Sequence, residues 1–357
     1  MNNWQLDKKN IEQIIRQGYI LLEQPGISHR RRNDIITDIN TFNCFLDDNY
    51  ENQTEFIPKP PKEIERLKKY TLSRMQEQYQ NIGPALINWL MDLYNTDIFQ
   101  FENSEQKTSL EIDEQAELTL ENYSQNSKKS YKPALTLIRD TKTPQIQQVT
   151  SLYSSSYCYH NSITNKPYLI INPTTDPWIF NHETEHAVET ITQKYINPIY
   201  SELGPILLEL LFNDTLYKHQ GFLNKGDYSE RLTESRYELN SLYIYLYAMQ
   251  SFAKSSFNIT TDQFKQTFMD ITGLGEDKIV SYIREEAIPS DKEEDINYLL
   301  SYLKAIELRE KTIEEKADCT DTLTSYLNSK ILNFTPTDDK FNIYRRYISE
   351  MKSKTKK

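Results

Sequence analysis

Apolar residues recur at steps of three and four along the first hundred residues of the chain. This spacing places side chains on one face of an α-helix. The two clearest stripes consist of Ile11, Ile14, Ile15, Tyr19 and Leu22, and of Ile35, Ile36, Ile39, Phe42 and Leu46. A further helical stretch is predicted from near Lys62 to Tyr94, with a break at Gly83-Pro84. We therefore expect residues 1–100 to fold as packed helices.

Residues 102–130 interrupt this pattern, because they are polar and rich in Glu, Ser, Asn and Gln. The part from Leu110 to Leu120 has some helical character, but the composition as a whole is typical of a linker. The sequence therefore predicts two domains, an N-terminal helical lobe over residues 1–125 and a second domain over residues 126–357.

Short apolar runs that are typical of β-strands follow the predicted linker. They are Ala134–Ile138, Gln148–Tyr153 and Tyr168–Ile171, and they predict a small sheet. His160 lies between two of these runs, either as a surface-loop residue, the simpler interpretation, or as a residue lining a cleft. Helical spacing then returns and continues to Tyr347, with a tyrosine-rich helix at about residues 228–255. The predicted fold class is thus mostly α with a small β-sheet.

Residues 182–186 carry recognisable chemistry, because they match H-E-x-x-H on the helix predicted after the strand Tyr168–Ile171. Residues four apart share a helix face, so His182 and His186 can bind one Zn²⁺ ion at distances of ~2.0–2.1 Å. Glu183 is then placed to hold a zinc-bound water and to act as general base. Two histidines on an ordinary surface helix are the competing interpretation, but the chain has only five histidines.

A catalytic zinc ion usually has three protein ligands, so a third residue is needed. Glu189 continues the same helix face, but at ~1.5 Å of rise per residue it lies about 10.5 Å from His182, too far to share one ion. Glu202 and Glu209 lie on the next predicted helix, from Tyr200 to Leu216, on one face. The residues alone leave these two carboxylates as alternatives.

Three segments around the motif form a further pattern. Residues 167–172 read PYLIIN, residues 202–209 read ELGPILLE, and residues 242–248 read LYIYLYA. In this order they resemble the strand before the zinc helix, the helix of the third ligand and the tyrosine-rich helix of the thimet oligopeptidase and oligoendopeptidase F family of zinc peptidases. The resemblance covers roughly residues 150–255.

This resemblance implies a zincin-like helical metallopeptidase fold of the gluzincin type, with the small sheet beside the active-site helix. Residues 126–357 would form the catalytic domain, and the N-terminal lobe would be shortened. The resemblance also implies that Glu202 completes the zinc site, and that Tyr243 and Tyr245 line the cleft as donors to the oxyanion.

The chain differs from the family at three points. Glu185 stands where family members have Gly, the interval from His186 to Glu202 is several residues shorter, and Tyr237 stands where they have His. By spacing alone Glu209 suits the third ligand, whereas the local pattern favours Glu202. In the second case Glu209 would orient a ligand histidine.

Composition and charge limit the binding partners and the cellular location expected for the protein. The 357 residues carry a net charge of −11, so no large basic surface for nucleic acid is expected. The N-terminus is polar, and no run of about 18 apolar residues predicts a membrane span. The three cysteines are widely spaced and form neither a disulfide framework nor a C-x-x-C site. These features favour a cytoplasmic protein without nucleic acid or membrane partners, and the resemblance implies peptides as its substrates.

Together the sequence predicts a zinc-dependent endopeptidase or oligopeptidase that hydrolyses unstructured peptides. The alternative is a catalytically inactive peptide-binding or interaction protein that retains the metallopeptidase fold. Glu185, the short interval and the missing histidine motivate this alternative. A helical structural protein with an accidental motif is a third hypothesis.

Overall fold

The computed structural model describes residues 8–22, 24, 29–46, 62–94, 110–139, 145–148, 156–161, 163–171, 177–192, 201–218, 242–286, 289–328 and 337–355. The helices before the sheet are α1 (Lys8–Leu22), α2 (His29–Leu46), α3 (Lys62–Ile82), α4 (Pro84–Tyr94), α5 (Ile112–Asn126) and α6 (Lys128–Arg139). The strands are β1 (Ile146–Gln148), β2 (Tyr157–Asn161) and β3 (Lys166–Ile171). The helices after them are α7 (Pro177–Ile191), α8 (Leu203–Lys218), α9 (242–253), α10 (Thr261–Thr272), α11 (Glu276–Glu286), α12 (Pro289–Glu315), α13 (Cys319–Asn328) and α14 (Asp338–Thr355).

The three strands form one small sheet in the order β1-β3-β2. β1 is parallel to β3, with Ile146 opposite Leu169, and β2 is antiparallel to β3, with Cys158 also opposite Leu169. Five of the six residues of β3 are buried, which fits the apolar sequence of a central strand. The sheet packs beside α7, the helix with the H-E-x-x-H motif. The predicted fold class, mostly α with a small sheet beside this helix, is confirmed.

The sheet lies between two hydrophobic cores. A small core is formed by α1, α2 and one face of the sheet, where Tyr168 and Ile170 pack with Phe42. The large core includes residues from each helix between α3 and α14, together with Leu169 and Ile171 from the opposite face of β3. Successive residues of a strand point to opposite faces, so this one strand contributes to both cores.

Two predictions for residues 102–139 are wrong. The described part of the predicted linker forms α5 and the start of α6, where Gln115 and Asn122 are buried. The run Ala134–Ile138, predicted as a strand, lies within α6. A short apolar run fits either period, and packing against α5 and α7 favours the helix here. The division into domains at residues 125 and 126 stays a prediction.

The other two predicted strands have different outcomes. Tyr168–Ile171 is confirmed as part of β3. The run Gln148–Tyr153 has only its first residue in β1, and residues 149–153 lie outside the described part of the chain. His160 belongs to β2, so its interpretation as a loop residue is wrong.

Helices α7 and α8 form the centre of the large core. Residues 203–213 of α8 are all buried, as expected of an apolar helix surrounded by α5, α7 and α12. The indole N–H of Trp178 donates to Asn213 Oδ1 at 2.5 Å, and Asn122 Nδ2 donates to Asn181 Oδ1 at 3.1 Å. These two bonds fix α7 against α8 and α5. Within the described residues, no helix combines the length and the apolar character needed to cross a membrane.

Candidate metal centre

Helix α7 presents its two histidines to the same side. His182 and His186 are one turn apart, and their ring centroids lie 4.9 Å from each other with an interplanar angle of 76°. His182 is 9% exposed, and His186 is half-buried. The helical spacing of the motif thus produces the convergence that the sequence predicts.

Glu202 immediately precedes α8 and lies between the two imidazoles. Its Oε2 atom is 3.1 Å from His182 Nε2 and 3.1 Å from His186 Nε2. One ligand atom from each of the three residues lies within 4.8 Å of the others. Ligands ~2.1 Å from a tetrahedral zinc ion are about 3.4 Å apart, so this donor set has the size and the chemistry of a zinc site.

Glu209 lies on α8, seven residues after Glu202, and contacts the opposite side of the His182 ring. Its Oε2 atom lies 3.1 Å from His182 Nδ1, so it bonds to the nitrogen that faces away from Glu202. Both nitrogens of His182 therefore face carboxylates. Burial lowers the pKa of His182, but the hydrogen bonds to Glu202 and Glu209 outweigh it and raise that pKa to about 10.

Hydrogen bonds also determine the charge of Glu202. Burial alone would raise its pKa, but hydrogen bonds from His182 and His186 hold the pKa well below its usual range. Glu202 is therefore an anion in a largely desolvated site. A negatively charged oxygen beside two imidazoles is a ligand environment that attracts a divalent cation.

Glu183 lies next to the first histidine and is directed towards the sheet. Its Oε2 atom accepts a hydrogen bond of 2.6 Å from the backbone N–H of Cys158 in β2. Burial raises the pKa of Glu183 above 4.5. A carboxylate of raised pKa at the edge of a metal-binding group is suited to accept and return a proton.

These groups open onto one cleft of about 650 Å³. It is bounded by β2, α7 and the residues before α8, and the lining residues are Tyr157, Cys158, His160, His182, Glu183, His186, Glu189, Thr190, Ser201 and Glu202. The alternative interpretation of His160 as a cleft residue agrees with this lining. The cleft gives a substrate access to the two histidines and to Glu183 together.

Helix α7 carries two further buried carboxylates, Glu185 and Glu189. Glu185 is 4% exposed and accepts a hydrogen bond of 2.7 Å from the hydroxyl of Tyr123 on α5. Glu189 is 5% exposed, and its Oε1 atom lies 2.1 Å from where a Cβ on Gly204 would be. Glycine at position 204 thus permits the first turn of α8 to approach α7, next to Glu202.

The two tyrosines predicted as oxyanion donors lie elsewhere. Tyr245 is 1% exposed, and its hydroxyl donates to Gln78 Oε1 on α3 at 2.5 Å. Tyr243 packs its ring against Tyr247, with centroids 6.1 Å apart. Neither belongs to the residues that line the cleft, where Tyr157 is the tyrosine. Their catalytic role stays a prediction, and the structure does not bring them to the metal-binding group.

Comparisons with known proteins assign this chain to no family. No protein family matches the sequence, and no curated protein matches it. A similar solved structure is that of a candidate oligoendopeptidase F from Bacillus anthracis str. Ames, with 12% identity and a TM-score of 0.44. The alignment covers 92% of this chain but 63% of that one, so this chain spans less than two thirds of it. Similarity at this level does not assign an activity, which has to be inferred from the site.

Proposed function

We propose that this protein is a zinc-dependent endopeptidase that hydrolyses unstructured peptides. The observation that supports this most directly is the meeting of His182 Nε2 and His186 Nε2 at Glu202 Oε2, each at 3.1 Å, beside Glu183 in an open cleft. Two imidazoles, one carboxylate and a neighbouring glutamate are the residue types that zinc hydrolases use. His182, His186 and Glu202 would hold the ion, and Glu209 would orient His182 from behind.

The zinc ion, when bound, would supply Lewis acidity that activates water and polarises the scissile carbonyl. Glu183 would provide the proton transfers. Its carboxylate takes a proton from the attacking water as the new C–O bond forms. The same proton then passes to the leaving amine as the C–N bond breaks, so the carboxylate is regenerated.

The shape of the site indicates an extended peptide as substrate. The cleft runs beside β2, an edge strand whose backbone can pair with an added strand. A folded protein would have to unfold locally before it could present such a strand, so folded substrates should resist cleavage. We therefore propose flexible peptides, of roughly ten to twenty residues, as the substrates.

Metal analysis combined with a peptidase assay tests this function. The purified protein should bind about one Zn²⁺ per chain and cleave an unstructured peptide, and His186→Ala should lose both properties. His160→Ala is the matched control for metal content, because His160 lines the cleft outside the three-residue group. Full zinc occupancy in His186→Ala would show that the site is misassigned. Bound zinc without hydrolysis of any peptide would favour the inactive peptide-binding alternative.

A further inference from the structure

The edge strand β2 has two kinds of backbone position. In an antiparallel pair, alternate residues exchange both hydrogen bonds with the opposite strand, and the residues between them exchange none. Pro167 lies opposite His160 and has no N–H to offer. Leu169 lies opposite Cys158 and donates its N–H to Gln145, towards β1. Cys158 and His160 are therefore the non-bonded positions, and their backbone N–H groups point away from β3.

The outward N–H of Cys158 meets the carboxylate of Glu183. The distance from the amide nitrogen to Glu183 Oε2 is 2.6 Å, which is short for an N–H···O bond and typical of one to a charged acceptor. Such a bond fixes both the direction and the distance of the carboxylate. It occupies one of the two carboxylate oxygens, so Oε1 remains to accept a proton.

We propose that the backbone N–H of Cys158 is a positioning group that holds Glu183 for proton transfer during peptide hydrolysis. This inference rests on the proposed function, because it assigns a partner to the general base. The side chain of Cys158 has no part in it. Strand β2 would thus have two roles. It borders the cleft, and one of its outward backbone N–H groups positions the general base.

The contact itself can be measured without any activity. The chain has three cysteines, so labelling with ¹⁵N-cysteine gives a spectrum of three backbone amides. Cys158→Ala identifies the signal of residue 158 by its loss. A short bond to a carboxylate moves an amide proton downfield, so Glu183→Gln should move the Cys158 signal upfield. The signal of Cys319, buried on α13, is the internal control and should stay in place.

The effect on catalysis requires removal of one backbone N–H. Lactic acid incorporated at position 158 replaces the amide by an ester, and Cys158→Ala has the same side chain with the amide intact. The pair differs only in that linkage, and the ladder bonds of β2 do not use this N–H. We expect kcat for peptide hydrolysis to be about 10- to 100-fold lower in the ester protein, with unchanged KM, zinc content and thermal midpoint.

Two outcomes would overturn the proposal. One is a Cys158 amide signal that does not respond to Glu183→Gln, because the bond would then be absent in solution. The other is an ester protein that binds zinc and matches the kcat of Cys158→Ala. An ester protein that fails to fold leaves the spectral test decisive. An unmodified, zinc-loaded protein with an intact fold and no peptidase activity would instead count against the proposed function.

Discussion

Helix α8 contributes carboxylates to two buried clusters of charged side chains. The two clusters contain similar residue types but have different properties. At its beginning, Glu202 and Glu209 flank the imidazole of His182. Further along, Asp214 binds the guanidinium of Arg309 on α12 at 3.1 Å, and Glu350 on α14 binds it at 3.0 Å. The first cluster places His182 between two carboxylates and opens onto the cleft. The second places Arg309 among three carboxylates, because Glu310 also lies 3.4 Å from its guanidinium, and it is enclosed by three helices.

The identity of the basic group explains the difference. Arginine does not release its proton, so the Arg309 cluster can only hold α8, α12 and α14 together. The ring of Tyr347, 5.4 Å from the guanidinium carbon, encloses it further. Histidine can lose its proton and bind a metal ion through the freed nitrogen. A buried charge cluster is therefore a functional candidate when its cation can be exchanged and when substrate can reach it.

The largest effect is expected from Glu183, the proposed base beside the first cluster. Glu183→Gln retains the size of the side chain and leaves a neutral, weaker acceptor for the Cys158 N–H, but removes the proton acceptor. Peptide hydrolysis should fall by about 10²-fold or more, with zinc content unchanged. Steady-state kinetics and metal analysis of the variant measure both. Turnover near that of the unmodified protein would mean that another residue is the base.

The next effect compares two carboxylates of α8 directly. Glu209→Gln weakens the acceptor behind His182, so zinc affinity should fall about 10- to 100-fold. Asp214→Asn changes a carboxylate on the same helix that binds Arg309, so zinc affinity should be retained. Competition with a chromogenic chelator measures both. Equal losses in the two variants would contradict the distinction between the clusters.

Removal of the arginine should affect stability alone. Arg309→Met leaves Asp214 and Glu350 without their buried cation, and we expect the free energy of unfolding to fall by about 2 kcal/mol. The value is below that of fully buried pairs because the two carboxylate side chains are 31% and 39% exposed. Urea unfolding measures it, with Lys265→Met as control, since solvent screens the pair of Lys265 with Glu276 and its loss should have little effect. A lower kcat in Arg309→Met would show that the two clusters are coupled.

The smallest change, at most about tenfold for each pH unit, is expected in the response of zinc binding to pH. Because the pKa of His182 is raised to about 10 without a metal, zinc has to displace a proton at neutral pH. Zinc affinity should therefore increase with pH, by up to about tenfold per pH unit, between about pH 6 and pH 9. Titration with a zinc buffer at several pH values checks this. The contribution of Arg309 to stability should stay constant over the same range, because its pKa lies above it.

The parts of the site that depend on local sequence could be predicted, and those that depend on distant contacts could not. His182 and His186 are one helical turn apart, so their meeting follows from the spacing of the motif. Cys158 and Tyr123 contact Glu183 and Glu185 from 25 and 62 residues away, and no periodicity encodes such pairs. Glu185 and Tyr123 are both buried, which the charged character of Glu185 in the sequence does not reveal.

The secondary structure shows the same division between features that local sequence predicts and features that distant contacts determine. The strand Tyr168–Ile171 was predictable because a central strand is apolar on both faces. The run Ala134–Ile138 was assigned as a strand because a five-residue apolar segment contains no period long enough to distinguish it from a helix. Its helical state is determined by its neighbours. The polar composition of residues 112–126 was similarly misleading, since Asn122 is buried through specific hydrogen bonds to Asn181 and to the Leu208 carbonyl.

Adjacent residues of β2 point in opposite directions, and this connects two distant parts of the molecule. The hydroxyl of Tyr159 bonds to Asp38 on α2, while the amide of the preceding residue, Cys158, bonds to Glu183. The helical pair α1–α2 is thus connected to the carboxylate of Glu183 through two neighbouring residues of one strand, although no residue of α1 or α2 is among the described residues that line the cleft.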